Sequence, residues 1–210
     1  MPRDWFECWR DPLDFFCTAW QQIKSTIGSV QPQYIEEAYI AGLFARIWNY
    51  HNTCKIRLLA DIFPDAQLNV SGHLIDLEIV TADRYGRKRW KEQKKIIESF
   101  KRGNLVPTDC PEKLRDEALS AIPRAVRKKA KRHYSTPPHL LVYSMIVQTP
   151  EVTYPLFSVD EMAALTEPYK ANFESIWVLS GIENVMLWPE RKILSVPSCQ
   201  DPFNCPRSDR

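Results

Sequence analysis

The residues best suited to chemistry in this chain lie between Phe63 and Arg89, in the stretch FPDAQLNVSGHLIDLEIVTADRYGRKR. Pro64-Asp65 opens it, Ser71-Gly72 marks a turn, and the run from His73 to Thr81 follows. In that run Ile75, Leu77 and Ile79 alternate with Asp76, Glu78 and Val80. A strand sends successive side chains to opposite faces. One face is therefore apolar and suited to a core, while the other carries two carboxylates in succession with Val80 beyond them. Adjacent acids on one strand face repel unless water, a cation or a basic partner offsets the charge. The pattern thus points to a cation site.

The elements around this stretch can be read from their periodicity. Trp5 to Ile27 reads as a helix with Trp5, Trp9, Phe16, Trp20 and Ile23 on its inner face and Gly28 as its stop. Pro32 to Tyr50 reads as a second helix, with Ile35, Ala38, Tyr39, Leu43, Ile47 and Trp48 as apolar positions and Glu36 and Glu37 in its first turn. Lys55 to Ile62, Ala66 to Val70 and His73 to Thr81 form a strand meander that turns at Asn69 to Gly72. A basic helix, Arg84 to Arg102, follows with Trp90, Ile96, Ile97 and Phe100 as anchors.

Pro111 to Tyr134 reads as another helix, which Pro123 should kink or divide and which ends in a basic cluster. That cluster holds Arg124, Arg127, Lys128, Lys129, Lys131 and Arg132, and basic residues at a helix C-terminus already suit the dipole. His139 to Val147 (HLLVYSMIV) is almost wholly apolar and reads as a buried central strand. Ser158-Val-Asp-Glu161 has the spacing of a capping box and opens a helix reaching about Phe173. Ser175 to Leu179 and Asn184 to Trp188 are two further strands. The expected fold class is α/β, a mixed β-sheet core flanked by helices with the long apolar strand in its middle.

Composition sets the outer bounds. A chain of 210 residues fits one domain, taken as residues 1–196 with the first 30 as a packing helix, and a tail over 197–210. Apolar residues make up 44%, enough for a core, and the net charge of +2 does not by itself announce a polyanion partner. No apolar run is long enough to cross a bilayer, and Met1-Pro-Arg-Asp-Trp lacks a secretory layout, so a soluble, cytoplasmic protein is expected. The six cysteines form no CxxC pair and are expected to be reduced, mostly as small buried apolar residues. His51 and Cys54 have no second pair at zinc spacing. There is no Gly-rich phosphate loop, no GxSxG and no convincing Ser/His/Asp order.

Taken together, a Glu-bearing helix, Pro64-Asp65, a hairpin and Glu78-Ile79-Val80 on an apolar strand resemble the PD-(D/E)XK nuclease superfamily, the restriction-endonuclease-like group. The resemblance covers about residues 34–102, and it departs from the family pattern at Val80, where a lysine belongs. It implies a metal-dependent nuclease that hydrolyses phosphodiester bonds in nucleic acid, DNA ahead of RNA. Mg²⁺ or Mn²⁺ would be the cofactor, and a homodimer is a common arrangement in the family. Asp65 and Glu78, with Asp76 beside them, would be the metal ligands, and Glu37 (or Glu36) would orient a water or add a ligand through one.

Three readings follow from Val80. A lysine from the next helix, Lys88, Lys91 or Lys94, reaches the site, as in the cap-snatching viral endonucleases; Lys55 and Arg57 are weaker donors. Alternatively Asp76-Leu77-Glu78 is the functional pair with Glu78 in the lysine position. In the third, the site is catalytically silent and the fold binds nucleic acid or a protein partner. Arg87, Lys94, Lys95, Arg127, Lys128 and Lys131 are the expected phosphate contacts, with Tyr85 and Trp90 available to stack on bases.

Overall fold

A computed structural model describes residues 2–26, 32–49, 53–60, 63–83, 98–99, 102, 110–144, 157–180 and 183–195. At its centre is a seven-stranded mixed sheet whose strands lie side by side in chain order. The strands are β1 (Cys54–Leu58), β2 (Ala66–Val70), β3 (His73–Ala82), β4 (His139–Ser144), β5 (Ser175–Ser180), β6 (Glu183–Trp188) and β7 (Lys192–Ser195). The three central strands, β3, β4 and β5, run parallel, and the outer pairs are antiparallel. The described elements are thus those of a mixed α/β protein, with the long apolar strand β4 in the middle as its composition demands.

Each face of the sheet carries its own helices. On one face lie α1 (Asp4–Glu7), α2 (Pro12–Ser25) and α3 (Gln33–Asn49), packed on Ile56, Leu68, Leu77, Ile79, Leu141 and Trp177. On the other lie α4 (Pro111–Ala130) and α5 (Val159–Thr166), packed on Val80, Leu140, Val142, Ile176 and Val185. The alternation along β3 therefore divides its side chains: Leu77 and Ile79 face α3, and the even-numbered positions face α4. Buried from Ala38 to Ile47, α3 is covered by the sheet on one side and α2 on the other. Gly42 permits this approach, because a Cβ there would stand 3.0 Å from the Phe16 Cα.

Several boundaries depart from the sequence reading. The first helix is two, because Arg10 leaves helical geometry to exchange backbone hydrogen bonds with Ile56 at 2.9 and 3.0 Å. Asp11 then restarts the chain as a cap, its Oδ1 accepting from the Leu13 N–H at 2.8 Å with Pro12 in the first turn. Pro123 does not divide α4, which runs unbroken from Pro111 to Ala130. The helix opened by Ser158 tightens into a 3-10 turn over Glu167–Asn172, where Pro168 stands near its start. Strand β7 was not anticipated.

Other expectations hold. Ser158 Oγ accepts from the Glu161 N–H at 3.0 Å. Ser71 and Gly72 both have positive φ, 52° and 90°, the conformation a two-residue hairpin turn requires. The expected helix 84–102 lies almost wholly outside the described residues, as do 145–147 and the tail 197–210. Among the cysteines, Cys54 is buried as expected, but Cys8 and Cys110 are exposed and Cys17 is disulfide-bonded.

Candidate active site

The pairing of β2 with β3 sets the site. Ala66, the first residue of β2, faces Leu77 of β3. Beyond that point the sheet continues through Asp65, whose backbone N–H donates to the Leu77 carbonyl at 3.0 Å and whose carbonyl accepts from the Leu59 N–H at 3.1 Å. The Ile79 N–H then has no strand partner on that side, and the Asp65 carboxylate supplies one: Oδ2 accepts it at 2.6 Å. Asp65 is thereby fixed next to Glu78, although the two are 13 residues apart in sequence.

Glu78 points toward α4 and is fully buried. An isolated carboxylate there would be costly, and two cations compensate it. Lys129, also buried, donates a very short charge-assisted hydrogen bond to Glu78 Oε1 and stands 3.6 Å from Asp65 Oδ2. Arg132 donates to the same Oε1 at 2.8 Å. Burial still pushes the Glu78 pKa above its ordinary 4.5; the Lys129 hydrogen bond opposes the rise, Asp65 adds to it, and the Lys129 and Arg132 charges oppose it.

The other carboxylate oxygen, Oε2, is buried and without a hydrogen-bond partner. Leaving such an oxygen unsatisfied costs about 1–3 kcal/mol or more. Hard carboxylate oxygens, one of them unclaimed, fit a hard divalent cation. Among the described residues no group of three or more His, Cys, Asp or Glu side chains could hold a metal ion; Asp65 and Glu78 are the two carboxylates that Lys129 brings together here.

Glu37 approaches from α3. Its Oε1 accepts from Gln33 Nε2 at 2.6 Å. Burial raises its pKa, the Gln33 hydrogen bond opposes this, Asp65 raises it further, and Arg3 and Lys129 lower it. Tyr134 closes another side. Its hydroxyl donates to the Lys129 carbonyl at 3.3 Å, and its ring meets Phe63 at 4.8 Å and Phe173 at 5.9 Å between centroids. Burial and then the Glu78 charge push its phenol up to about 12.

The remaining expected residues fall elsewhere. Asp76 is held by Gln67, whose Nε2 donates to its Oδ1 at 2.7 Å and whose Oε1 accepts from Arg57 Nη2 at 2.7 Å. Lys88, Lys91, Lys94, Arg87 and Lys95 lie outside the described residues. Arg127, Lys128 and Lys131 are exposed on the C-terminal turn of α4.

Lys129 and Arg132 were passed over as site residues because the basic cluster reads as a solvated helix end. A signal was present nonetheless. Leu114, Ala118, Ala121, Ile122, Ala125 and Val126 recur at helical spacing as the buried stripe of α4, and Lys129 continues it three and four residues on. A lysine in register with a core stripe must find an anion or leave the stripe. Comparison with protein-family models, curated proteins and solved structures finds no match.

Proposed function

We propose that this protein is a metal-dependent nuclease of PD-(D/E)XK type, hydrolysing phosphodiester bonds in nucleic acid, with the restriction-endonuclease-like arrangement of its sheet and helices. The observation that carries this reading is Lys129. Val80 leaves the motif without its ammonium, and α4 returns one to both acids from the same sheet face that Val80 occupies. An ammonium beside both acids supports the reading although position 80 does not supply it.

In this reading Asp65 and Glu78 hold Mg²⁺ or Mn²⁺. Such an ion, when bound, acidifies a coordinated water and offsets phosphoryl charge. Lys129 stands within reach of the same oxygens and neutralises charge that builds on the phosphate. Glu37, with its pKa raised by burial, accepts or relays a proton from the attacking water more readily than an ordinary exposed glutamate. Tyr134 fixes the backbone of Lys129 and excludes water from that flank. The exposed Arg127, Lys128 and Lys131 contact the nucleic-acid backbone.

A second reading has its own support: Lys129 and Arg132 together already offset the charge of the two carboxylates, as expected of a silent module that keeps the fold for binding. Cleavage of plasmid and single-stranded substrates with Mg²⁺ or Mn²⁺ separates the two, run beside Asp65→Ala and Glu78→Ala and with Mn²⁺ binding followed calorimetrically. The nuclease reading expects cutting and ion binding by the parent and loss of both in each variant. Equal cutting by parent and variants rejects the site, and folded parent protein that neither cuts nor binds the ion favours the silent module.

A further inference from the structure

The cations along α4 are treated differently at its two ends. Toward the start, Arg115 is paired with Glu161 at 2.6 Å. Elsewhere on the surface Lys170 pairs with Glu167 at 3.0 Å and Arg191 with Asp160 at 2.5 Å. At the C-terminal end, Arg127, Lys128 and Lys131 are exposed and have no acidic partner among the described residues. Favourable interaction with the helix dipole accounts for positive charge there but not for its lack of counterions.

Arg132 connects this exposed group to the buried acids. Its side chain is 47% exposed, yet one nitrogen, Nη1, reaches the wholly buried Glu78. The Lys129 carbonyl accepts the Arg132 N–H at 3.0 Å and the Tyr134 hydroxyl at 3.3 Å, which fixes the turn carrying the guanidinium. A guanidinium has five donors in a rigid fork, and among the described residues its only hydrogen bond is the one to Glu78.

We infer that Arg132 is a phosphate-binding residue that joins a phosphodiester-backbone track, Arg127, Lys128 and Lys131, to the Asp65–Glu78–Lys129 pocket. The ligand is the polyanionic backbone of a nucleic acid, gripped through phosphate oxygens and without regard to base sequence. One edge of the guanidinium stays on Glu78 while the outward donors take a phosphate next to the one that enters the pocket. The inference rests on the nuclease reading for its orientation, but its binding half is testable alone.

Fluorescence anisotropy with a labelled oligonucleotide, single-stranded or duplex, in EDTA and across a salt series is the direct test. Arg132→Gln is expected to weaken binding about ten-fold and to flatten the slope of log affinity against log salt by about one. Arg132→Lys keeps the charge and so the parent slope, while losing part of the affinity with the fork. Arg191→Gln, the same charge change at a distant paired arginine, leaves both at the parent value. A merely structural Arg132 would change melting temperature without moving the salt slope.

The inference is overturned if Arg132→Gln binds like the parent, if Arg191→Gln falls as far, or if the folded parent does not bind. Cleavage assays then distinguish the two levels. A parent that binds through Arg132 but never cuts sinks the nuclease reading and leaves the track standing. A parent that cuts, with Arg132→Gln unchanged in KM and salt slope, sinks the track alone.

Discussion

Replacing Lys129 with methionine tests the site through stability rather than activity. The side chain fills a similar volume, so the main loss is the ammonium. Lys129 is 10% exposed, Glu78 is fully buried, and the bond between them is charge-assisted. Removing one partner of a buried pair costs about 3–5 kcal/mol because the other is left as an uncompensated charge. Arg132 remains on Oε1, half in water, and offsets part of this, which places the expected loss near 3 kcal/mol. For a chain of this size that lowers the melting temperature by roughly 6–12 °C.

The pH dependence has a definite sign. Glu78 already titrates above 4.5 in the folded protein because of burial. A carboxyl raised on folding contributes stability that is fully present below its unfolded pKa and lost as pH rises through the folded one. Without Lys129, a hydrogen bond and a charge that lowered the folded pKa are gone, so it climbs further. The penalty of Lys129→Met is therefore smaller near pH 5, where Glu78 can protonate, than near pH 8. Urea denaturation at both pH values measures this, and Glu78→Gln in the same background should remove most of the difference. Glu37→Gln serves as a control, since Glu37 also feels Lys129. A loss below about 0.5 kcal/mol, equal at both pH values, would refute the picture of a buried compensated acid.

Two further expectations concern the scaffold. Gly42→Ala drives a Cβ to 3.0 Å from the Phe16 Cα and 3.1 Å from a Phe15 ring carbon, so α2 must move; overpacking outweighs the gain in helix propensity, for a net loss of about 1–2 kcal/mol by denaturant titration. Cys54, buried with its thiol pushed up to about 12, stays inert to a thiol reagent in the native protein at pH 8, while exposed Cys8 and Cys110 react; labelling of Cys54 at the same rate would contradict the packing of α3 on β1.

The sheet was legible because its signals are local. Alternation through β3, the Ser71-Gly72 turn and the apolar run of β4 each lie within a few consecutive residues, and each element takes the expected place. The restart at Asp11 was missed although Asp-Pro is a cap signal, since the aromatic spacing from Trp5 to Trp20 continues across it and reads as one helix. What interrupts that helix is the Arg10–Ile56 bridge, a contact 46 residues distant that no window can contain.

The acids and their ammonium divide along the same line. Asp65 and Glu78 lie at the open end of one hairpin, so their convergence follows from its register and from the hydrogen bond that Asp65 accepts from the Ile79 N–H. Lys129 is 51 residues from Glu78, and its destination depends on which sheet face α4 covers. Position 80 decides the matter physically. A lysine there would share the even-numbered face of β3 with Glu78, and the valine instead packs against the α4 core. Closeness of α4 is what lets an extended lysine stem from its last turn reach an oxygen on β3. Val80 thus helps seat the helix that carries Lys129, and Val80→Lys combined with Lys129→Met should recover stability that Lys129→Met alone loses. Failure of that exchange, with both proteins folded, would mean that the ammonium at 129 does something at the pocket that one from position 80 cannot.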